Sequence, residues 1–170
     1  MSECATACKV TKAALYHYFK SKADILKEMF ASHRDGPEEL MARLKKTRTV
    51  EECLRLMAQA HLKEMKEPEN LELMRIMLGE TLKNAELTKF YERFINEQIA
   101  RITMDVLLPM VKGRKTEQEV RLLCFQFLAA LMHYSWYRMI VGDTSFLIGD
   151  EVIFVDRLAK TYSAAFQEDR

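Results

Sequence analysis

Apolar residues recur at three- and four-residue spacing along most of the chain, with polar residues between them, which predicts amphipathic helices throughout. Met1 to Cys8 reads as one short helix with Cys4, Ala5 and Cys8 toward a core, and Lys9-Val10 as a turn. Thr11 is a suitable N-cap for a second short helix, in which Leu15 and Phe19 share one face. Ser21-x-x-Asp24 has the form of a capping box and opens a helix with Ile25, Leu26, Met29 and Phe30 on one side. Asp35-Gly36-Pro37 predicts a kink or short break, after which Leu40, Met41 and Leu44 carry an apolar face to Lys46.

Thr49-x-x-Glu52 is a full capping box ahead of a helix bearing Cys53, Leu54, Met57, His61 and Met65, which ends before Pro68. A helix with Leu73, Met74, Met77 and Leu78 follows. Asn84 then caps a long one carrying Leu87, Phe90, Tyr91, Phe94, Ile95, Ile99, Ile102, Val106 and Leu107, which Pro109 and Gly113 bend or end. Thr116-x-x-Glu119 opens a helix that is apolar nearly all round, from Val120 to Ile140. Such a helix needs cover on both sides, one from its own domain and one from a second subunit. Gly142 to Gly149 reads as a loop, and Asp150 caps a last helix with a wide apolar face from Val152 to Phe166. Two such helices from each of two chains would form an isologous four-helix bundle, a homodimer through the last two helices.

Composition narrows the class. The hydrophobic fraction of 49% and charged fraction of 30% suit a globular chain, and five Gly and three Pro are too few for a turn-rich β fold, so the fold class is all-α. Cys4, Cys8, Cys53 and Cys124 have neither disulfide-scaffold nor zinc spacing. Free thiols in a reducing cytoplasm are expected, with no metal; a metal or redox site at Cys4, Cys8 and His17 is the alternative. No apolar run is long enough for a membrane helix, and no membrane partner is expected. No Gly-rich phosphate loop, Gly-x-Ser-x-Gly or His-Glu-x-x-His occurs, so neither a cofactor nor catalysis is expected.

Net charge is only +1, but residues 1–34 carry six Lys/Arg against three acids, and residues 9–22 hold four lysines and no acid. With Leu15 and Phe19 turned inward, Lys12, Tyr16, His17 and Tyr18 face outward. Amines and phenols can meet phosphates, and aromatic edges can meet bases, so this short helix suits a DNA groove. A plain surface helix with spare aromatics fits the same pattern.

Lys9-Val10-Thr11-Lys12, then Leu15-Tyr16-His17-Tyr18-Phe19-Lys20-Ser21-Lys22, then Leu26, resembles the signature of the TetR (tetracycline repressor) family. The likeness runs from about Ser2 to Phe30. It implies a helix-turn-helix DNA-binding domain over 1–34 and a helical ligand-binding and dimerisation domain over 35–170. It implies a transcription regulator, most often a repressor in that family, with double-stranded DNA and a small-molecule effector as partners. Thr11, Lys12, Ala13, Tyr16, His17 and Tyr18 would enter or grip the major groove, and Lys22 would contact phosphate. Two departures are visible. Lys9 stands where the family usually has Gly, and a left-handed backbone there would cost roughly 1 kcal/mol. The family also places a helix before the segment matching Ser2-Glu3, so the domain is read as partial and DNA binding by this chain as weak. A dimeric small-molecule-binding module that has lost DNA binding is the alternative function.

Eight of the eleven methionines lie between Met57 and Met139, and such flexible, polarisable side chains suit an adaptable apolar pocket. The pocket residues expected are Met57, His61, Met65, Met74, Met77, Phe90, Phe94, Phe127, Leu131 and Trp136, with His61 and His133 as polar groups able to orient a ligand. A simple helical core with Met as filler is the other reading of the same residues.

Overall fold

A computed structural model of the chain describes residues 1–32, 35–111, 113–142 and 150–168, with backbone alone for 35–37. The described residues are mostly helical and contain no strand. The helices are α1 Ser2–Ala7, α2 Lys12–Tyr18, α3 Lys22–Ser32, α4 Asp35–Leu44, α5 Val50–Glu64, α6 Pro68–Thr81, α7 Ala85–Ile102, α8 Glu117–Val141 and α9 Glu151–Gln167.

The helix ends follow the local signals. Thr11 Oγ1 accepts from Ala14 N–H at 3.1 Å and Ser21 Oγ from Asp24 N–H at 3.1 Å. Thr116 and Glu119 form a reciprocal capping box. At the start of α5 the box is altered: Thr49 Oγ1 accepts from Glu52 N–H, but the Glu52 carboxylate reaches one residue further back, to Arg48 N–H. Asn84 and Asp150 cap α7 and α9 with their side-chain oxygens. Gly142, at φ 83°, turns the chain out of α8 in a conformation that a side chain resists.

Three sequence expectations shift. Gly36 and Pro37 lie within the first turn of α4, so they do not break it; residues 33 and 34 stand between α3 and α4 and, like 143–149 of the expected loop, lie outside the described residues. The long helix does not simply stop at Pro109. After Ile102 it widens into a π-helical turn, Thr103–Leu107, and regains α geometry over Leu108–Val111. Pro109 has no N–H for the carbonyl four residues back and its ring crowds that position, and a widened turn just before it relieves both problems. On α1 only Ala5 is buried; Cys4 is half-buried and Cys8 is exposed, because a six-residue helix has room for one inward position. Likewise Met29 on α3 is exposed, and Ala23 and Leu26 supply its buried face.

Two apolar clusters result. The larger joins α4, α5, α7, the π turn, α8 and α9, with Leu44, Leu54, Phe127 and Phe166 fully buried. The smaller joins α3 to α6 and α7 through Ala23, Leu26, Leu73, Met77 and Leu87. It is the apolar seat on which α3 rests.

Candidate nucleic-acid interface and ligand cleft

The turn between α1 and α2 closes α1 by a Schellman motif. Val10 N–H donates to Ala5 O at 3.0 Å and Lys9 N–H to Thr6 O at 3.1 Å, which puts Lys9 at φ 54° in the left-handed region. The departure from Gly at this position is therefore accommodated by the same backbone geometry, at the cost of about 1 kcal/mol. Within α2 only Leu15 is buried, and Phe19 is half-buried just past its end.

Thr11, Lys12, Ala13, Tyr16, His17, Tyr18 and Lys22 are all exposed, as an outward-reading surface requires. Tyr18 is 78% exposed. The His17 and Tyr18 rings meet edge to face at 5.3 Å, and the Lys12 ammonium lies 6.0 Å from the Tyr16 ring centre, so the surface side chains support one another. Lys9, Lys12 and Lys20 carry no ion pair among the described residues. Lys22 is different. Its Nζ lies 2.8 Å from Glu80 Oε1 on α6, and the ammonium holds that carboxyl below the usual carboxylate range. Lys27 pairs with Glu86 at the start of α7. These two bonds and the small cluster tie α3 to α6 and α7.

A second site opens in the body. Tyr91, Phe94, Ile95, Gln98, Ile99 and Ile102 form one stripe of α7, and Phe125, Leu128, Ala129, Met132, His133 and Trp136 form a stripe of identical spacing on α8. Between them lies a cleft of about 540 Å³, with His61 of α5 at its floor. An inner chamber of about 280 Å³ shares His61, Tyr91, Phe94, Ile95 and Met132 and continues to Met65, Asn70, Leu73 and Met74. Its far wall is Phe30 of α3, whose ring meets Phe94 edge to face at 5.3 Å. His61 Nε2 lies 2.8 Å from Ser135 Oγ, and burial pushes the imidazole down to about 4, so it is neutral at physiological pH. Burial also pushes the Tyr91 phenol up.

Of the pocket residues expected from sequence, His61, Met65, Met74, Phe94 and Trp136 line this space. Met57, Phe127 and Leu131 do not; they are spent in the large cluster, since their faces of α5 and α8 meet other helices. Met77 and Phe90 pack in or against the small cluster. The residues that sequence reasoning missed, Gln98, Phe125, Ala129 and Met132 among them, were visible only as paired stripes on α7 and α8. The cysteines offer no reactive site in the body, where burial pushes the Cys53 and Cys124 thiols up to about 12.

Outside the cleft, α8 leaves Leu122, Ile140 and Val141 exposed, and α9 leaves Val152 and Ile153 exposed, while Phe125 and Trp136 are exposed at the cleft itself. No helix among the described residues is long and apolar enough to cross a membrane. No curated protein and no solved structure matches the chain. Residues 1–29, the segment that forms α1, the turn, α2 and most of α3, match the model of the bacterial regulatory proteins, tetR family, a likeness that covers the helix-turn-helix segment.

Proposed function

We propose that the chain is a transcriptional repressor that binds operator DNA as a homodimer and is released by a small apolar ligand. The observation that carries this reading is the outward face of α2, with Lys12, Tyr16, His17 and Tyr18 all exposed inside the matched segment. In this reading Thr11 and Ala13 approach the groove at the start of α2, and Lys22 exchanges Glu80 for a phosphate. The exposed apolar stripe of α8, with Val152 and Ile153 of α9, is the surface a second copy covers. Two recognition helices would then be set to reach major-groove faces about 34–36 Å apart or a multiple of that.

The cleft supplies the control. A ligand shifts the balance only by binding one spacing of the two recognition helices better than the other. Phe30 gives a physical route, because it belongs to the helix after α2 and also walls the inner chamber. Gel retardation of the DNA upstream of the protein's own gene, at low ionic strength, tests the reading. Retardation that falls as salt rises supports it, and none at all would refute it.

A second reading is a dimeric ligand-binding module that does not read DNA. It is favoured by the pairing of Lys22 with Glu80 and by the single buried residue in each of α1 and α2. Dimerisation and ligand binding without DNA affinity would decide for it.

A further inference from the structure

The cleft lacks the charges that most polar metabolites would need. Among the described residues, no Lys, Arg, Asp or Glu lines its outer part, and the only charged residue lining the inner chamber is Glu64, which is exposed. A carboxylate or sulfonate entering it would lose hydration with no cation to offset the loss. The stripes of α7 and α8 instead present aromatic faces along an elongated space, with Phe94 inside and Phe125 and Trp136 at the mouth. Gln98 and His133 add polar side chains to the outer cleft, Asn70 to the inner chamber and Tyr91 to both, and His61 is shared by the two parts. His61 is held by Ser135 through Nε2, and its Nδ1 has no partner among the described residues.

We propose that this cleft takes an uncharged, elongated aromatic molecule whose rings lie between the α7 and α8 stripes and whose one polar group meets His61 Nδ1. This rests on the cleft being the effector site and adds the chemical class of the effector. The volume suits a molecule of drug-like size. Size and shape alone would admit an anion of the same skeleton; the missing cation excludes it.

The chain's single tryptophan, Trp136, lines the outer cleft and makes the test direct. The uncharged dye phenylnaphthylamine and its sulfonated analogue anilinonaphthalene sulfonate share a skeleton and differ in charge. Titrated into the full chain, the uncharged dye is expected to accept energy from Trp136 and to bind at least about tenfold more tightly than the sulfonate, a difference of about 1.4 kcal/mol. A129F, which fills the exposed outer cleft, should weaken it by a similar factor. The W136F variant should abolish energy transfer while directly excited dye emission persists, and circular dichroism of both variants confirms that they fold. Equal or tighter binding of the sulfonate, or of the cationic dye ethidium, overturns the proposal. So does uncharged-dye binding that A129F leaves unchanged. Retardation of upstream DNA by the same preparation without dye reports separately on DNA reading.

Discussion

The body of this protein and its N-terminal helices are held by unequal means. In the body, α4, α5, α7, α8 and α9 bury Leu44, Leu54, Phe127 and Phe166 completely, and each such side chain contributes about 1.5–3 kcal/mol. In α1 and α2 the buried residues are Ala5 and Leu15 alone. Joining α3 to the body are a five-residue cluster, the ring contacts of Phe30 with α7 and the pairs Lys22–Glu80 and Lys27–Glu86. Exposed ion pairs of this kind each add at most about 1 kcal/mol. The difference teaches that the N-terminal helices can loosen or shift while the body stays folded, which is what the proposed release from DNA would need.

The largest effect separating the regions is expected from F127A, which should destabilise the whole chain by about 3–5 kcal/mol in denaturant unfolding. An unchanged midpoint would remove Phe127 from the centre of the body. The next comes from pH. His61 is neutral in the fold at about 4 against an ordinary 6.5, so the unfolded chain binds the extra proton first. Stability from this group is therefore full above about 6.5 and declines as pH falls toward 4, by on the order of 2–3 kcal/mol. H61Q should flatten that slope, and an identical pH profile would contradict the burial.

L15A acts locally. Amide exchange should speed up across α1 and α2, while the global unfolding midpoint moves by less than about 1 kcal/mol. A loss of body stability equal to that of F127A would show one cooperative unit in place of two. E80Q is the smallest and the sharpest. It frees Lys22, so affinity for upstream DNA should rise about three- to tenfold at low salt, and the gain should shrink as salt rises. Weaker DNA binding in E80Q would mean that the pair positions α3 and does not compete with phosphate.

Much of this architecture is legible in the sequence because caps and periodicity are local. Thr11, Thr49, Asn84, Thr116 and Asp150 each start the helix expected of them. Lys9 adopts the left-handed turn that its position demands. The π turn was not legible, since Pro109 signals trouble without saying how the preceding helix relieves it. The cleft was half legible for a different reason. Periodicity shows that Phe127 and Trp136 both lie on apolar faces of α8, but only the placement of the neighbouring helices, α9 against Phe127 and α7 across from Trp136, decides that Phe127 is sealed and Trp136 faces a gap. The pairing of Lys22 with a residue 58 positions away is likewise a property of the assembled fold.

The central claim is that the outer face of α2 is pressed against duplex DNA. The salt dependence of binding to the upstream duplex, compared between the native chain and K12A, tests it most directly. If Lys12 meets a phosphate, the logarithmic slope should be shallower by about one in the variant, with affinity lowered evenly across sequences. A slope and affinity unchanged by K12A, or no salt-dependent binding by either chain, would contradict the account.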